Sequence, residues 1–379
     1  MQESKQRIFW RSIQPLVGSV IGVGIFGLPF VFAQSGFFIA LVYLLVLAFV
    51  NAVLLLAFGD IIINTSGHPR FTGVVNRYLG KAWSWVATVL MFGATWGAMI
   101  AYIIIGGTFL HVLLSPVIGG GLIVYQCVFF FVSSFLLIGG LGFITRLEVF
   151  FVLALLVMLF VILAGAVPYA EFSNLTNVDS ANWFLPFGVI LFAFGGLAAV
   201  PEMAHVLGRQ KQLLRRGIIV GISIISFVYI AFSGIIVAVT GSNTSEEAIV
   251  GLGSVLGNWA IILGSVIGLF SVLTSFLILG VSVMDTMIFD FKRRYFASWF
   301  FTIAVPFILF IFGARSFIHV IGFTGGLLGG LLGVLAIYTY LKAKKHACVP
   351  KRCLLIPNWV LYLCVAVFSL GAILTLFGV

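Results

Sequence analysis

A glycine-rich stretch near the start of the chain, residues 18–30 (GSVIGVGIFGLPF), offers chemistry through its backbone rather than its side chains. Glycine in a helix interior costs about 1 kcal/mol relative to alanine, and proline about 3 kcal/mol. Where a helix breaks, the N–H groups that start the next segment attract an anion and the freed carbonyls attract a cation. A break at Gly22–Gly24 could therefore hold both ends of an α-amino acid.

A second stretch repeats this pattern in the other half of the chain. Gly24 is followed five residues later by Pro29, and Gly196 is followed five residues later by Pro201. The alternative is that such glycines only allow close helix packing. We favour packing for Gly139, Gly140 and the run 325–330, and a substrate cavity for 18–29 and 192–201.

The composition requires these stretches to lie in lipid. Charged residues make up 8% of the chain and apolar residues 62%, including 40 phenylalanines. A soluble domain of this size cannot bury so much apolar surface. The basic residues are scattered among short loops, which argues against nucleic-acid binding. Gln14 and Pro15 lead into the first apolar segment without a cleavage pattern, so we expect no cleavable signal peptide.

Apolar segments of about 20 residues, the length that a bilayer requires, recur along the whole chain. They predict eleven transmembrane helices: 12–34, 38–63, 82–113, 120–143, 147–168, 183–207, 217–240, 256–288, 296–313, 317–341 and 356–378.

Charge predicts the orientation of these segments. With the N-terminus in the cytoplasm, every one of the 20 basic residues except Arg315 falls on the cytoplasmic side. The outer loops then carry acidic residues: Glu171, Asp179, Glu246 and Glu247. The sequence thus predicts a multi-pass protein of the cell membrane with its C-terminus outside.

The odd number of helices per half predicts an inverted repeat. Residues 12–168 and 183–341 each hold five predicted helices and cross the membrane in opposite senses. The first helix of each half carries the Gly/Pro pattern, which is typical of inverted-repeat transporters with broken helices. We expect an all-α transporter domain with five plus five helices, helices 1 and 6 broken, and 356–378 as an extra helix.

Three motifs carry a family resemblance. GSVIGVGIFGLPF, LFAFGGLAAVPEM (191–203) and LTSFLILGVSV (273–283) resemble helices 1, 6 and 8 of the amino acid/auxin permease family, within the amino acid–polyamine–organocation superfamily. The resemblance implies the leucine-transporter-type fold and secondary amino acid transport by alternating access. It also implies substrate contacts at these residues: Gly22, Val23, Gly24, Phe192, Ala193, Phe194 and Gly195.

The expected substrate is a neutral amino acid. Its carboxylate would meet the amides of Gly22–Gly24, and its ammonium the carbonyls of Phe192 and Phe194. Small residues around the second break leave room for a large or aromatic side chain. Tyr102 is a further candidate, because the fold often places a side chain of helix 3 beside the substrate. The particular amino acid, the direction of transport and the oligomeric state stay open.

A coupling ion is the only cofactor that we expect. In the superfamily, consecutive hydroxyls such as Thr274 and Ser275 can complete a sodium site with helix 1 carbonyls, here those of Gly18 and Ile21. Alternatively, each hydroxyl bonds a carbonyl one turn back. Sodium-coupled members carry Asn where Gly18 stands, so we favour protons over sodium, with Glu202 as the carrier.

Other functions have less support. A channel or facilitator for a small polar solute is the main alternative. An intramembrane enzyme would need a nucleophile–base pair or metal ligands, yet the chain has no HExxH motif and five histidines in all. Cys348 and Cys353 give a weak zinc signal and are expected to be free thiols. Asp60 and Asp285 lie near helix ends, where we expect them to reach water.

Overall fold

The computed structural model describes residues 5–65, 70–139, 144–177, 180–347 and 356–378. Gly140, Asp179, Cys348 and Cys353 lie outside these ranges. The described residues form no strand, and their α-helices are α1 (Lys5–Val20), α2 (Gly24–Ser35), α3 (Phe37–Asn64), α4 (Phe71–Leu79), α5 (Lys81–Ile118), α6 (Leu122–Leu137), α7 (Ile144–Ala166), α8 (Leu185–Ala193), α9 (Ala199–Leu207), α10 (Leu214–Thr240), α11 (Gly253–Leu256), α12 (Asn258–Asp285), α13 (Tyr295–Ile311), α14 (Phe317–Phe323), α15 (Gly330–Ala347) and α16 (Asn358–Leu376).

Within the described residues, each predicted apolar segment is mostly helical, which confirms an all-α protein. Among the described residues, six helices are long and apolar enough to cross a membrane, or seven when the bent pair α1 and α2 counts as one. Apolar stretches of 10–17 residues in α6, α7 and α13 are shorter. The count of eleven therefore stays a prediction.

Helix α4 is a feature that the hydropathy pattern did not indicate. It has nine residues and buries Phe71, Val74 and Val75 against the bundle. The spacing of these residues, i, i+3 and i+4, gives one apolar face, on which α4 packs against α5 and α15. Since its other face is polar, the segment reads as a loop in a hydropathy scan.

The run 325–330 packs closely, as expected. A π-helical turn at Thr324–Gly329 joins α14 to α15. A Cβ on Gly325 would lie 2.1 Å from the carbonyl oxygen of Gly188 in α8, so only glycine fits at this backbone contact. Gly139 differs from the expectation, because it lies in the turn after α6 and its Cβ would meet only the backbone of Leu136, at 3.4 Å.

The loops sort by charge at the two ends of the bundle. Asp60 pairs with Arg215 at 2.8 Å, and Asp285 pairs with Arg70 at 3.9 Å. Helix α4, which follows Arg70, packs on α15, and α15 carries lysines near its C-terminal end. We call this the basic end. At the opposite, acidic end, the loop after α10 meets the start of α14, where a carboxylate oxygen of Glu246 accepts the Ile318 N–H at 3.4 Å.

Asp60 corrects the expectation that it would reach water. Its side chain is only 1% exposed and accepts a hydrogen bond from the Arg215 guanidinium. Tyr340 hydrogen-bonds to the same carboxylate. The physical reason is that α3 packs along α10, so the aspartate faces a neighbouring helix rather than the bundle surface. Buried charges are tolerated when they are paired in this way.

Candidate substrate site

The first break separates α1 from α2 with a bend of 60° at residues 21–23. The N–H of Gly22 turns back to the carbonyl of Val20 at 2.9 Å, instead of continuing the helix ladder. Within the described residues, the N–H groups of Val23 and Gly24 donate no backbone hydrogen bond. These two amides are available to an anion, at the N-terminus of α2 where the helix dipole favours one.

Carbonyl groups are also left over at this break. Gly18 would normally accept from Gly22, and Ile21 from Ile25, but both of these amides bond elsewhere. In the part of the chain that the structure describes, the carbonyls of Gly18 and Ile21 accept no backbone hydrogen bond. The break thus presents free acceptors as well as free donors.

The second break lies between α8 and α9, at residues 194–198. The N–H of Gly195 bonds to the carbonyl of Phe192 at 3.0 Å, while the Phe194 carbonyl accepts no backbone bond among the described residues. Gly195 and Ala198 are exposed. Backbone without internal hydrogen bonds cannot face lipid. The unpaired Phe194 carbonyl is buried, and the segment beside it is open at Gly195 and Ala198.

Each break contacts the helix that ends at the other break. A Cβ on Gly24 would lie 2.8 Å from the Cα of Ala193, so α2 touches α8 directly. A Cβ on Gly196 would lie 2.8 Å from side-chain carbons of Leu16 and Val20, so the segment leading into α9 touches α1. By contrast, a Cβ on Gly22 would meet only its own turn, at 3.9 Å. The open space at the first break is therefore beside Gly22.

Two aromatic candidates lie in different settings. Phe192 is half-buried, and one of its ring carbons would be 3.4 Å from a Cβ on Gly24. Tyr102 is buried on α5. Two turns further along α5, Phe109 packs edge-on against Phe26 of α2, with ring centroids 5.4 Å apart. Phe192 therefore borders the first break directly, and α5 approaches α2 beyond Tyr102.

The predicted cation ligands are not drawn together in the same way. The Thr274 hydroxyl donates to the Ser271 carbonyl at 3.0 Å, which is the helix-internal alternative. Ser275 is half-buried beside it. Helix α1 packs extensively on α9 and α10, and no comparable packing joins it to α12 within the described ranges. Among the described residues, α1, which carries Gly18, thus makes no extensive packing contact with α12, which carries Thr274 and Ser275.

Glu202 lies in the first turn of α9, where the helix dipole favours a negative charge. It is exposed, and so are Ala198 and His205. These positions are spaced i, i+4 and i+7, so they share one face of the helix. An exposed stripe therefore runs from the second break toward the basic end.

Tyr229 is the residue at the breaks that sequence reasoning missed. Its hydroxyl, on α10, lies 2.8 Å from the carbonyl oxygen of Val20 and 2.8 Å from that of Ala193. A hydroxyl within an apolar span was an available signal. The chain has 40 phenylalanines and 10 tyrosines, however, so Tyr229 did not stand out among the aromatic residues.

The whole arrangement of helices resembles a solved structure. The crystal structure of MhsT in complex with L-phenylalanine superimposes with a TM-score of 0.68 over 97% of this chain and 96% of that chain, at 13% identity. The chain thus shares the fold of MhsT. More particularly, residues 5–377 match the tryptophan/tyrosine permease family, and the chain belongs to that family. It is a permease and not an enzyme.

Curated relatives agree with this assignment. Tyrosine-specific transport system 1 of Haemophilus influenzae is 27% identical over 363 residues, covering 89% of each chain. Glutamine transporter 2 of Aliivibrio fischeri is 23% identical over 326 residues, covering 83% of each. The amino acid/auxin permease family inferred from the motifs is therefore corrected at the family level. The Gly/Pro pattern predicts broken helices. Because broken helices are a feature of the fold, the pattern does not distinguish one family from another.

Proposed function

We propose that this permease carries a large neutral amino acid with an aromatic side chain by alternating access, coupled to protons. The observation that carries the proposal is the pair of free amides at Val23 and Gly24, opposite a second break that is exposed at Gly195 and Ala198. The half-buried ring of Phe192 at the same place suits an aromatic side chain. The tyrosine transporter among the relatives and the phenylalanine in the neighbouring structure support this class of substrate.

In the proposed complex, the backbone does most of the binding. The substrate carboxylate accepts from the free amides of Val23 and Gly24, beside Gly22, and the dipole of α2 adds to the attraction. The ammonium donates to the carbonyls of Phe192 and Phe194. These backbone groups bind the carboxylate and ammonium that all α-amino acids share, so they do not distinguish one side chain from another. The ring of Phe192 and the space beside Gly22 would therefore set the side-chain preference.

The proposed topology has eleven spanning helices, with a cytoplasmic N-terminus, an outer C-terminus and a five-plus-five inverted repeat. The basic end of the bundle supports this orientation, since basic residues favour the cytoplasmic side. The exposed stripe on α9 then opens the second break toward the cytoplasm. Cysteine-accessibility labelling tests this: positions 212 and 342 should react from one side, and reaction from opposite sides would overturn the topology.

Counterflow in proteoliposomes tests the substrate. Vesicles loaded with unlabelled tyrosine, tryptophan, phenylalanine or glutamine are diluted into the corresponding labelled amino acid, with protein-free vesicles as the control. We expect transient accumulation of an aromatic amino acid above its equilibrium level. Accumulation of glutamine alone would overturn the substrate class, and uptake without stimulation by internal substrate would indicate a channel.

Imposed gradients test the coupling ion. The support for protons is the exposed carboxylate of Glu202 beside the second break, together with the helix-internal bond of Thr274. We expect an inward proton gradient to drive accumulation in sodium-free buffer. Accumulation driven by sodium at equal pH, and lost in Thr274→Ala, would overturn the proposal in favour of a sodium site at Gly18, Ile21, Thr274 and Ser275.

A further inference from the structure

We propose that the hydroxyl of Tyr229 couples the two helix breaks, so that they keep one fixed arrangement. Tyr229 is fully buried, and its oxygen lies 2.8 Å from the Val20 and Ala193 carbonyl oxygens. Val20 is the last residue of α1 and Ala193 is the last residue of α8. One side chain thus joins the ends of both interrupted helices.

The chemistry of this contact is unusual because a phenol has a single proton and here meets two acceptors. The Val20 carbonyl also receives the N–H of Gly22 at 2.9 Å. For the Ala193 carbonyl, Tyr229 is the donor that the structure describes. Its usual helical partner, the N–H of Leu197, lies within the second break. The shared proton therefore satisfies a carbonyl at each break, and neither break can shift without weakening a bond that also serves the other.

Packing holds the Tyr229 hydroxyl in a fixed position. Tyr229 lies near the middle of α10, an uninterrupted helix of 27 residues that packs against α1, α2 and α3. The Phe194 ring packs edge-on against the Tyr229 ring, with centroids 5.4 Å apart. A rigid helix and a neighbouring ring thus hold the hydroxyl in place, as a positioning residue requires. Tyr229 acts through the backbone of the two breaks and need not touch the substrate.

Hydrogen–deuterium exchange of the purified full-length protein tests the coupling without any assumption about the substrate. Tyr229→Phe removes one oxygen and keeps the ring. We expect peptides covering 18–27 and 192–200 both to exchange about fivefold faster, since each carbonyl loses a net stabilising hydrogen bond. Tyr43→Phe, on α3, is the matched control and should change neither peptide. Faster exchange in one peptide only, or in neither, would overturn the proposal.

Replacement of Tyr229 by p-aminophenylalanine provides a second measurement. Its amine supplies two N–H donors for the two carbonyls, so exchange in both peptides should return to the wild-type rate. The same comparison applies if Tyr229→Phe folds poorly, because the amino variant should then recover the folded yield. Equal behaviour of the phenylalanine and amino variants would contradict a role for the donor.

The effect on transport rests on the proposed function and is measured separately. If the breaks form one substrate cradle, Tyr229→Phe should raise the KM for the transported amino acid about tenfold and change the maximal rate less. Loss of maximal rate at constant KM would contradict a positioning role. A wild-type protein that carries no amino acid would refute the proposed function, while the exchange result would still decide the coupling.

Discussion

The two helix breaks share a glycine–proline spacing, yet they differ in almost every other respect. The first, at 21–23, is short and enclosed except beside half-buried Gly22, with Ile21 and Val23 buried. The second, at 194–198, is longer and exposes Gly195 and Ala198. In the first, the proline lies well inside α2, whereas Pro201 lies in the first turn of α9. The same sequence signal therefore produces a tight binding corner in one half and an open segment in the other.

This difference separates two tasks that a carrier must perform. A rigid corner with free amides is suited to holding a carboxylate, because its donors are fixed before the substrate arrives. An open segment is suited to admitting the substrate and to changing shape. Substitutions at the two breaks should accordingly affect different steps of transport.

The largest effect is expected at the enclosed break. In Gly24→Val, the added carbon would lie 2.8 Å from the Ala193 backbone, so α2 and α8 must separate. We expect uptake to fall by about 100-fold, as for a misplaced binding group. Gly195→Ala is the control at the open break, where the nearest atom is 3.1 Å away. Uptake assays on equal amounts of folded protein measure both, and equal losses would remove the distinction between the breaks.

A smaller effect is expected on the exposed stripe beside the open break. Glu202→Gln removes the carboxylate and keeps the shape of the side chain. If this group carries the coupling proton, accumulation driven by a pH gradient should fall about tenfold, while counterflow at equal pH persists. Glu171→Gln, an exposed carboxylate at the acidic end, should change neither. Undiminished accumulation in Glu202→Gln would assign the proton to another group.

Phe192 tests where the substrate side chain lies. In Phe192→Ala, a ring beside the first break is lost, and we expect the KM for an aromatic amino acid to rise about fivefold, in line with the worth of an aromatic pair. Competition by a small neutral amino acid should be less affected. The exposed Phe323 on α14 is a suitable control for loss of a ring. Equal changes for large and small substrates would show that Phe192 supports the fold instead.

The smallest effect is expected far from both breaks. Burial raises the pKa of Glu247, in the loop after α10, above its ordinary value. Because the folded state disfavours the charged form, stability falls as pH rises from the ordinary pKa through the raised one. Glu247→Gln should therefore raise the melting temperature by about 1–2 °C at pH 7.5 and leave it unchanged at pH 4. Transport should not change, and a clear loss would mean that this loop contributes to the breaks.

Much of this architecture could be predicted from local sequence. Apolar length located the helices, and Gly22, Gly24 and Gly196 marked both breaks, because these signals depend only on near neighbours. Helix α4 was missed because only three of its nine residues, Phe71, Val74 and Val75, form its buried apolar face.

The contacts between distant segments could not be predicted. Asp60 finds Arg215 across 155 positions, and the Tyr229 hydroxyl has a role only once two separate helices have broken in the right places. The close contact of Gly24 with Ala193 likewise depends on how α2 and α8 cross. Such pairings follow from tertiary packing, which a single sequence does not encode locally.

The ion pair between buried Asp60 and the partly exposed Arg215 has a consequence for biosynthesis. A ribosome adding about 5–20 residues per second needs about 8–30 s to make the 155 positions between them. During that interval α3 has emerged, but the arginine that neutralises its aspartate does not yet exist. The carboxylate must therefore stay at the water interface or be sheltered by the insertion machinery. Helix α3 can reach its final depth only after α10 arrives, so the first half of the chain cannot finish assembling before the second half is made.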